Sequence, residues 1–343
     1  MSGTSESFAM LTIRDSLPNG LLDCRASQIG DVLGGPTLIE LGGQREAPLF
    51  VSILIHGNED VGLGAIQRVL KARLEQALPR SLMLFIGNVA AAAQGQRRLD
   101  GQPDYNRIWP GAVDDHETPD AQMMAQLHDR VVARRAFAAI DLHNNTGRNP
   151  HYSVVCSKSP SAIGLASLFT DRAVLFRGLP GTQTASFSNL VPAMTAECGK
   201  PRSAENERAA AAFVNRVLEL DHLPTEPELR EPLQLFHTLG VVRVRPEITL
   251  GFGDAGAELN LDPHLDRLNF MQVLPDRVLG HTQHPAPIEV IDEDGHDVAE
   301  SFFSLTNGEL RLRREVTPAM FTVDERIVRQ DCLGYLMETL DHL

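Results

Sequence analysis

Cysteine is scarce in this chain of 343 residues: Cys24, Cys156, Cys198 and Cys332 stand far apart and form no CxxC pair. Such spacing argues against a disulfide framework and a thiolate zinc knuckle, and it leads to the expectation of a cytoplasmic location. Long apolar runs are missing too, so no membrane partner is expected. Residues 1–19 carry Ser, Thr, Glu and Asp without a basic start or an apolar centre, and do not read as a secretory signal. Positive charge is in deficit. There are 31 Lys and Arg against 45 Asp and Glu, a net charge of −14, and no Lys/Arg stripe offsets it. Counterion-release binding to nucleic acid or acidic lipid is therefore disfavoured, which leaves small molecules or peptides as expected partners. Repeats and low-complexity tracts are absent beyond the short alanine run 90–93.

Hydrophobic residues at 43% and charged residues at 22% are near the averages of globular chains, and the length suits two unequal domains. The run 49–55 is apolar and β-branched, as in a strand buried on both faces, and it stops at His56-Gly57-Asn58-Glu59. Over 60–78 the apolar positions Val61, Leu63, Ile66, Val69, Leu70 and Leu74 recur at helical spacing. Strand-like runs return at 82–86, 137–142 and 190–196, the last followed by a helical stretch over 203–220. The expected class is α/β, a mixed, largely parallel sheet flanked by helices, with ligands beyond the carboxyl ends of the strands. Pro224, Pro227 and Pro232 then mark a linker. Beyond it, strand-like runs at 241–245, 288–291 and 310–313 with turn chemistry between them suggest a smaller β-rich C-terminal domain. The expected domains are 1–223, with an N-terminal extension of about 20 residues, and 224–343. A homo-oligomer is compatible with the sequence, which specifies no stoichiometry.

Three strand ends carry chemistry. His56 and Glu59 close one strand and His143 another, giving two imidazoles and one carboxylate, a known catalytic zinc set that leaves a fourth position for water. A structural histidine is the ordinary reading of any one of them; the ordered set points to metal, one zinc per chain. Glu197 ends a further strand after an apolar approach, where desolvation would raise its pKa and suit it to shuttle a proton.

His56-Gly57-Asn58-Glu59, Arg97-Arg98 with Asp104-Tyr105-Asn106-Arg107, Asp141-Leu142-His143-Asn144-Asn145-Thr146 and Thr195-Ala196-Glu197-Cys198-Gly199 occur in that order. Over residues 45–220 the chain resembles the succinylglutamate desuccinylase and aspartoacylase family of the zinc carboxypeptidase-like superfamily. The resemblance implies His56, Glu59 and His143 as zinc ligands and Glu197 as general base and acid. It implies that Asn106 and Arg107 hold a substrate carboxylate and that Arg98 faces the oxyanion, with Arg97 as its rival. It departs from the family where a tail-domain tyrosine is expected, since none of Tyr105, Tyr152 and Tyr335 clearly falls there, and where an arginine is expected shortly before the catalytic Glu, since 182–192 contains none. The implied activity is zinc-dependent hydrolysis of an amide bond in a small carboxylate-bearing substrate such as an N-acyl amino acid. The alternatives are a metallocarboxypeptidase on short or modified peptides and a non-catalytic metal- or ligand-binding protein.

Three further features read as structural. The GxGxxG match at 251–256 has no helix after it, His281 and His284 lack a third ligand, and Cys198 suits a small buried site. Arg148, His151 and Tyr152 follow the His143 loop closely enough to line a pocket.

Overall fold

The computed structural model describes residues 11–113, 117–177, 179–225, 232–254 and 256–340. Among these, the strands in chain order are β1 (Thr12–Arg14), β2 (Thr37–Leu41), β3 (Gly43–Ile53), β4 (Leu78–Ile86), β5 (Ala138–His143), β6 (Tyr152–Val155), β7 (Arg172–Leu175), β8 (Ala193–Glu197), β9 (Gln234–Val244), β10 (Leu250–Phe252), β11 (Leu259–Leu261), β12 (Val278–Thr282), β13 (Ile288–Ile291), β14 (Phe303–Thr306), β15 (Glu309–Leu312), β16 (Thr317–Ala319) and β17 (Gly334–Leu340). The larger sheet runs β1-β2-β4-β3-β5-β8-β6-β7-β9-β17-β16, with β13 also paired to β9. Its centre, β4-β3-β5-β8, is parallel. A second sheet runs β10-β11-β12-β15-β14. The molecule is a mixed α/β fold with a smaller β-rich C-terminal region.

Alternation along β3 and β4 explains why both faces are covered. Leu49, Val51, Ile53, Leu82, Leu84 and Ile86 enter one apolar cluster, while Phe50, Met83 and Phe85 enter the cluster on the opposite face. On the first face lie the helices Val61–Lys71 and Ala204–Glu219, packed on each other. The other face is closed by the helix Pro119–Ala133 and by Trp109 and Phe187, whose rings meet edge-on 5.9 Å apart.

The helix expected over 60–78 ends at Lys71. Leu74, the last position of its apolar period, is 64% exposed, and Leu78 precedes Pro79, which holds it extended at the start of β4. Two pairings link the chain's outer segments to the main sheet. β1 lies parallel to β2 at one edge, and β9 lies parallel to β7, so the ladder continues across the 223/224 boundary. Of the proline-rich linker, residues 226–231, with Pro227, lie outside the described residues.

Candidate active site

The turn after β3 is set by local backbone. Leu54 adopts φ 52°, an uncommon conformation for a non-glycine residue, and turns the chain out of the sheet. Gly57 then passes so close to the helix Val89–Ala93 that a Cβ would sit 2.2 Å from Ala92 N. The Glu59 N–H donates to His56 O at 3.1 Å, folding both side chains to one side. There His56 Nδ1 meets Glu59 Oε1 at 2.8 Å.

His143 reaches the same carboxylate from β5, with Nδ1 2.8 Å from Glu59 Oε2. Asp141, two residues earlier and on the same strand face, meets His143 Nε2 at 2.6 Å. Asp104 meets His56 Nε2 at 2.9 Å. Each imidazole thus points one nitrogen at Glu59 and the other at a second carboxylate. The ligand atoms of His56, Glu59 and His143 lie within 4.8 Å of one another, all three residues being buried. Burial alone would lower both imidazole pKa values. The Asp141 and Glu59 carboxylates overcome it and hold His143 well above its ordinary value, and Glu59 and Asp104 raise His56 against burial and Arg97. Burial would raise Glu59, yet the two imidazoles pull it far below the usual carboxylate range.

Sheet register places the next group. His143 lies opposite Glu197 on β8, and Glu197 lies opposite Tyr152 on β6, so three side chains share one row. Burial raises Glu197 to about 7, against the attraction of His143 and a 3.3 Å hydrogen bond from Asn145 Nδ2. The buried Tyr152 hydroxyl has no hydrogen-bond partner and lines the same cavity as Tyr335 and Glu197.

Of the two adjacent arginines, Arg97 lines the cavity, with one nitrogen 3.6 Å from Glu59 Oε1 and another 3.1 Å from Asp104 Oδ2. Arg98 lies outside it and donates to Gln102 O at 2.8 Å. The difference follows from the loop: consecutive side chains diverge, and Gly57 N donates to Arg97 O at 3.0 Å, which fixes Arg97 beside the His56 turn. Asn106 is buried next to His143, with Oδ1 accepting from Gln183 N–H at 3.1 Å. Arg107 lines the cavity and pairs with Asp331 at 2.9 Å.

Sequence reasoning left Asp104, Asp141, Asp331 and Tyr335 without roles. Asp141 carried a signal, since it stands two positions before His143 on a strand. Asp104 stood inside a quoted motif. Asp331 and Tyr335 carried none, because they reach the cavity only through tertiary folding. Tyr105 donates to Asp120 at 2.9 Å, while Arg148 and His151 face Asp266 and Asn206, so of Arg148, His151 and Tyr152 only Tyr152 enters the cavity lining. Cys198 is buried and donates to Ala196 O at 3.3 Å. Among the described residues, neither His281 nor His284 belongs to a metal-competent group, and His284 Nδ1 accepts from Ala286 N–H at 3.2 Å. The GxGxxG segment begins in β10; Ala255 within it lies outside the described residues. No described helix is long and apolar enough to cross a membrane.

Solved structures share this fold. Succinylglutamate desuccinylase from Chromobacterium violaceum aligns over 88% of this chain and 87% of its own, at 18% identity and TM-score 0.54. Murine aminoacylase 3 aligns over 87% and 96%, at 18% identity and TM-score 0.60. A succinylglutamate desuccinylase/aspartoacylase from Rhodobacter sphaeroides aligns over 88% of each chain, at 17% identity and TM-score 0.57. No curated protein matches the sequence significantly. Residues 48–220, just over half of the chain, match the family model of the succinylglutamate desuccinylase/aspartoacylase catalytic domain, and the chain belongs to that family.

Proposed function

We propose that the protein is a zinc-dependent hydrolase that cleaves the amide bond of a small N-acyl amino acid or a derivative of one. The observation that carries this reading is the buried His56–Glu59–His143 group set one strand away from Glu197. Membership of a hydrolytic deacylase family supports the same chemistry. The donor set suits zinc: two imidazole nitrogens and a carboxylate converge, and each remaining ring nitrogen is held by a carboxylate that fixes its orientation. Zinc held there supplies Lewis acidity, polarising the scissile carbonyl and bringing the pKa of a water down to roughly 7.

The chain's own residues do the rest. Glu197, raised to about 7 by burial, takes the proton of the attacking water and returns it to the leaving nitrogen. Asn145 donates to one of its oxygens and holds the carboxyl over the site. Arg97, which lines the cavity and was the rival of Arg98 for this role, offers its guanidinium to the developing oxyanion. Asn106 and Arg107 line the end that receives the amino-acid portion. On the β6 and β7 side the lining is Tyr152, Val154, Phe176 and Leu179, which accommodates an uncharged acyl group better than a dicarboxylate.

The test is release of free amine from a panel of N-acyl amino acids, their carboxamides and dipeptides, with and without chelator. N-acyl compounds should be cleaved in preference to dipeptides, chelator should abolish cleavage and added zinc should restore it. Turnover indifferent to chelation, or confined to dipeptides, contradicts the proposal.

A further inference from the structure

The guanidinium that would receive a substrate carboxylate, that of Arg107, is already engaged by one from the chain itself. Arg107 donates to Asp331 Oδ1 at 2.9 Å and Arg97 to Asp331 Oδ2 at 3.1 Å, so one side chain spans both cations. Arg107 also donates to Asn106 O at 2.8 Å, and Arg97 faces Asp104 and Glu59. Among the described residues lining the cavity, these two arginines are the only Lys or Arg side chains. Arg107 therefore has a carboxylate partner before any substrate arrives.

Asp331 is held in place. It follows the helix Glu325–Gln330, its N–H donates to Ile327 O at 2.9 Å, and its side chain is 13% exposed. A free substrate carboxylate arriving here meets a buried carboxylate already on the fork, or must expel it. Arg107, 28% exposed, has N–H groups beyond those bonded to Asp331 and Asn106, beside a carboxylate that accepts. An adjacent donor and acceptor complement a carboxamide, which presents one C=O and one N–H.

We infer that Asp331, held also by Arg97, is a specificity-determining residue, supplying the carboxylate that Arg107 would otherwise take from the substrate, so that the compound bound here carries a carboxamide or peptide group in place of a free carboxylate. The identity of the compound turned over rests on the hydrolase reading; the seating of Asp331 does not, and it is measured separately.

The zinc-loaded protein is given a matched pair, an N-acetyl amino acid and its carboxamide. Wild type should cleave the carboxamide at least tenfold better in kcat/KM, and Asp331→Asn, of the same shape without the charge, should shift the ratio at least tenfold toward the acid. Preference of wild type for the acid, or a ratio unchanged in Asp331→Asn, overturns the inference. Cleavage of neither compound counts against the hydrolase reading, and the second arm then decides the role of Asp331. There, sodium acetate should raise the Tm of Asp331→Ala by several degrees over sodium chloride at equal ionic strength and leave wild type unmoved, because acetate refills the cradle. Equal responses of the two proteins overturn the inference.

Discussion

Glu197 shows how one carboxyl group takes its properties from its surroundings. Its strand delivers it into a buried row between His143 and Tyr152, and desolvation raises it from the ordinary 4.5 to about 7. Glu197→Gln should keep zinc and fold while losing turnover by roughly a hundredfold or more. Near-normal rates in that variant would refute the role. Stability gives an independent check on metal-free protein. Between pH 4.5 and 7 the unfolded state releases this proton while the folded state retains it, so stability falls as pH rises through that window and the penalty is complete above it. The shift corresponds to about 3 kcal/mol. Urea titrations at pH 5 and pH 8 should show wild type losing that much more than Glu197→Gln; equal losses would mean Glu197 is not buried as an acid. At this scale the sequence was informative. His56, Glu59, His143 and Glu197 are polar groups that interrupt apolar runs, and such interruptions are visible without a structure. The choice between Arg97 and Arg98 was not, because neighbours in a loop diverge by backbone turns that no periodicity records.

The elements explain why those groups meet. β3, β5 and β8 are parallel neighbours, so their carboxyl ends lie on one edge, and period-2 alternation turns Asp141 and His143 to one face. The turn after β3 depends on Gly57, where a Cβ would strike the backbone of the helix Val89–Ala93 rather than a side chain able to move aside. Gly57→Ala should therefore cost about 3 kcal/mol and weaken zinc binding by displacing His56 from Glu59. Gly35→Ala, with nothing within 4 Å and no positive φ, serves as the control and should do neither. A Gly57→Ala protein with wild-type Tm and zinc content would remove this turn from the account. The central strands β3, β4, β5 and β8 and the helices Val61–Lys71 and Ala204–Glu219 were legible in the sequence, whereas the helix Pro119–Ala133 and the short strands β6 and β7 were not read there. The early end of the helix at Lys71 was not, since Leu74 continues the pattern and only its exposure shows that nothing packs there.

At the scale of the molecule, the C-terminal region is part of the site. β9 continues the main sheet, Leu233 and Leu235 enter the apolar cluster of its main face, and Asp331 and Tyr335 line the cavity. A fragment ending at residue 223 should expose the β7 edge and aggregate, as seen by light scattering. A soluble, cooperatively melting fragment would contradict this dependence. The sequence marked a change of texture at the prolines, yet sheet pairing over long separations and the seating of Asp331 on Arg107 leave no local trace. The central claim is that His56, Glu59 and His143 hold one zinc ion that makes hydrolysis possible. Its most direct measurement is amine release from an N-acyl amino acid carboxamide as chelator-stripped protein is titrated with zinc. Activity should start near zero and rise linearly to a break at about one zinc per chain, with His143→Ala flat throughout. Full activity in the stripped protein, or an unaltered titration in His143→Ala, would contradict it.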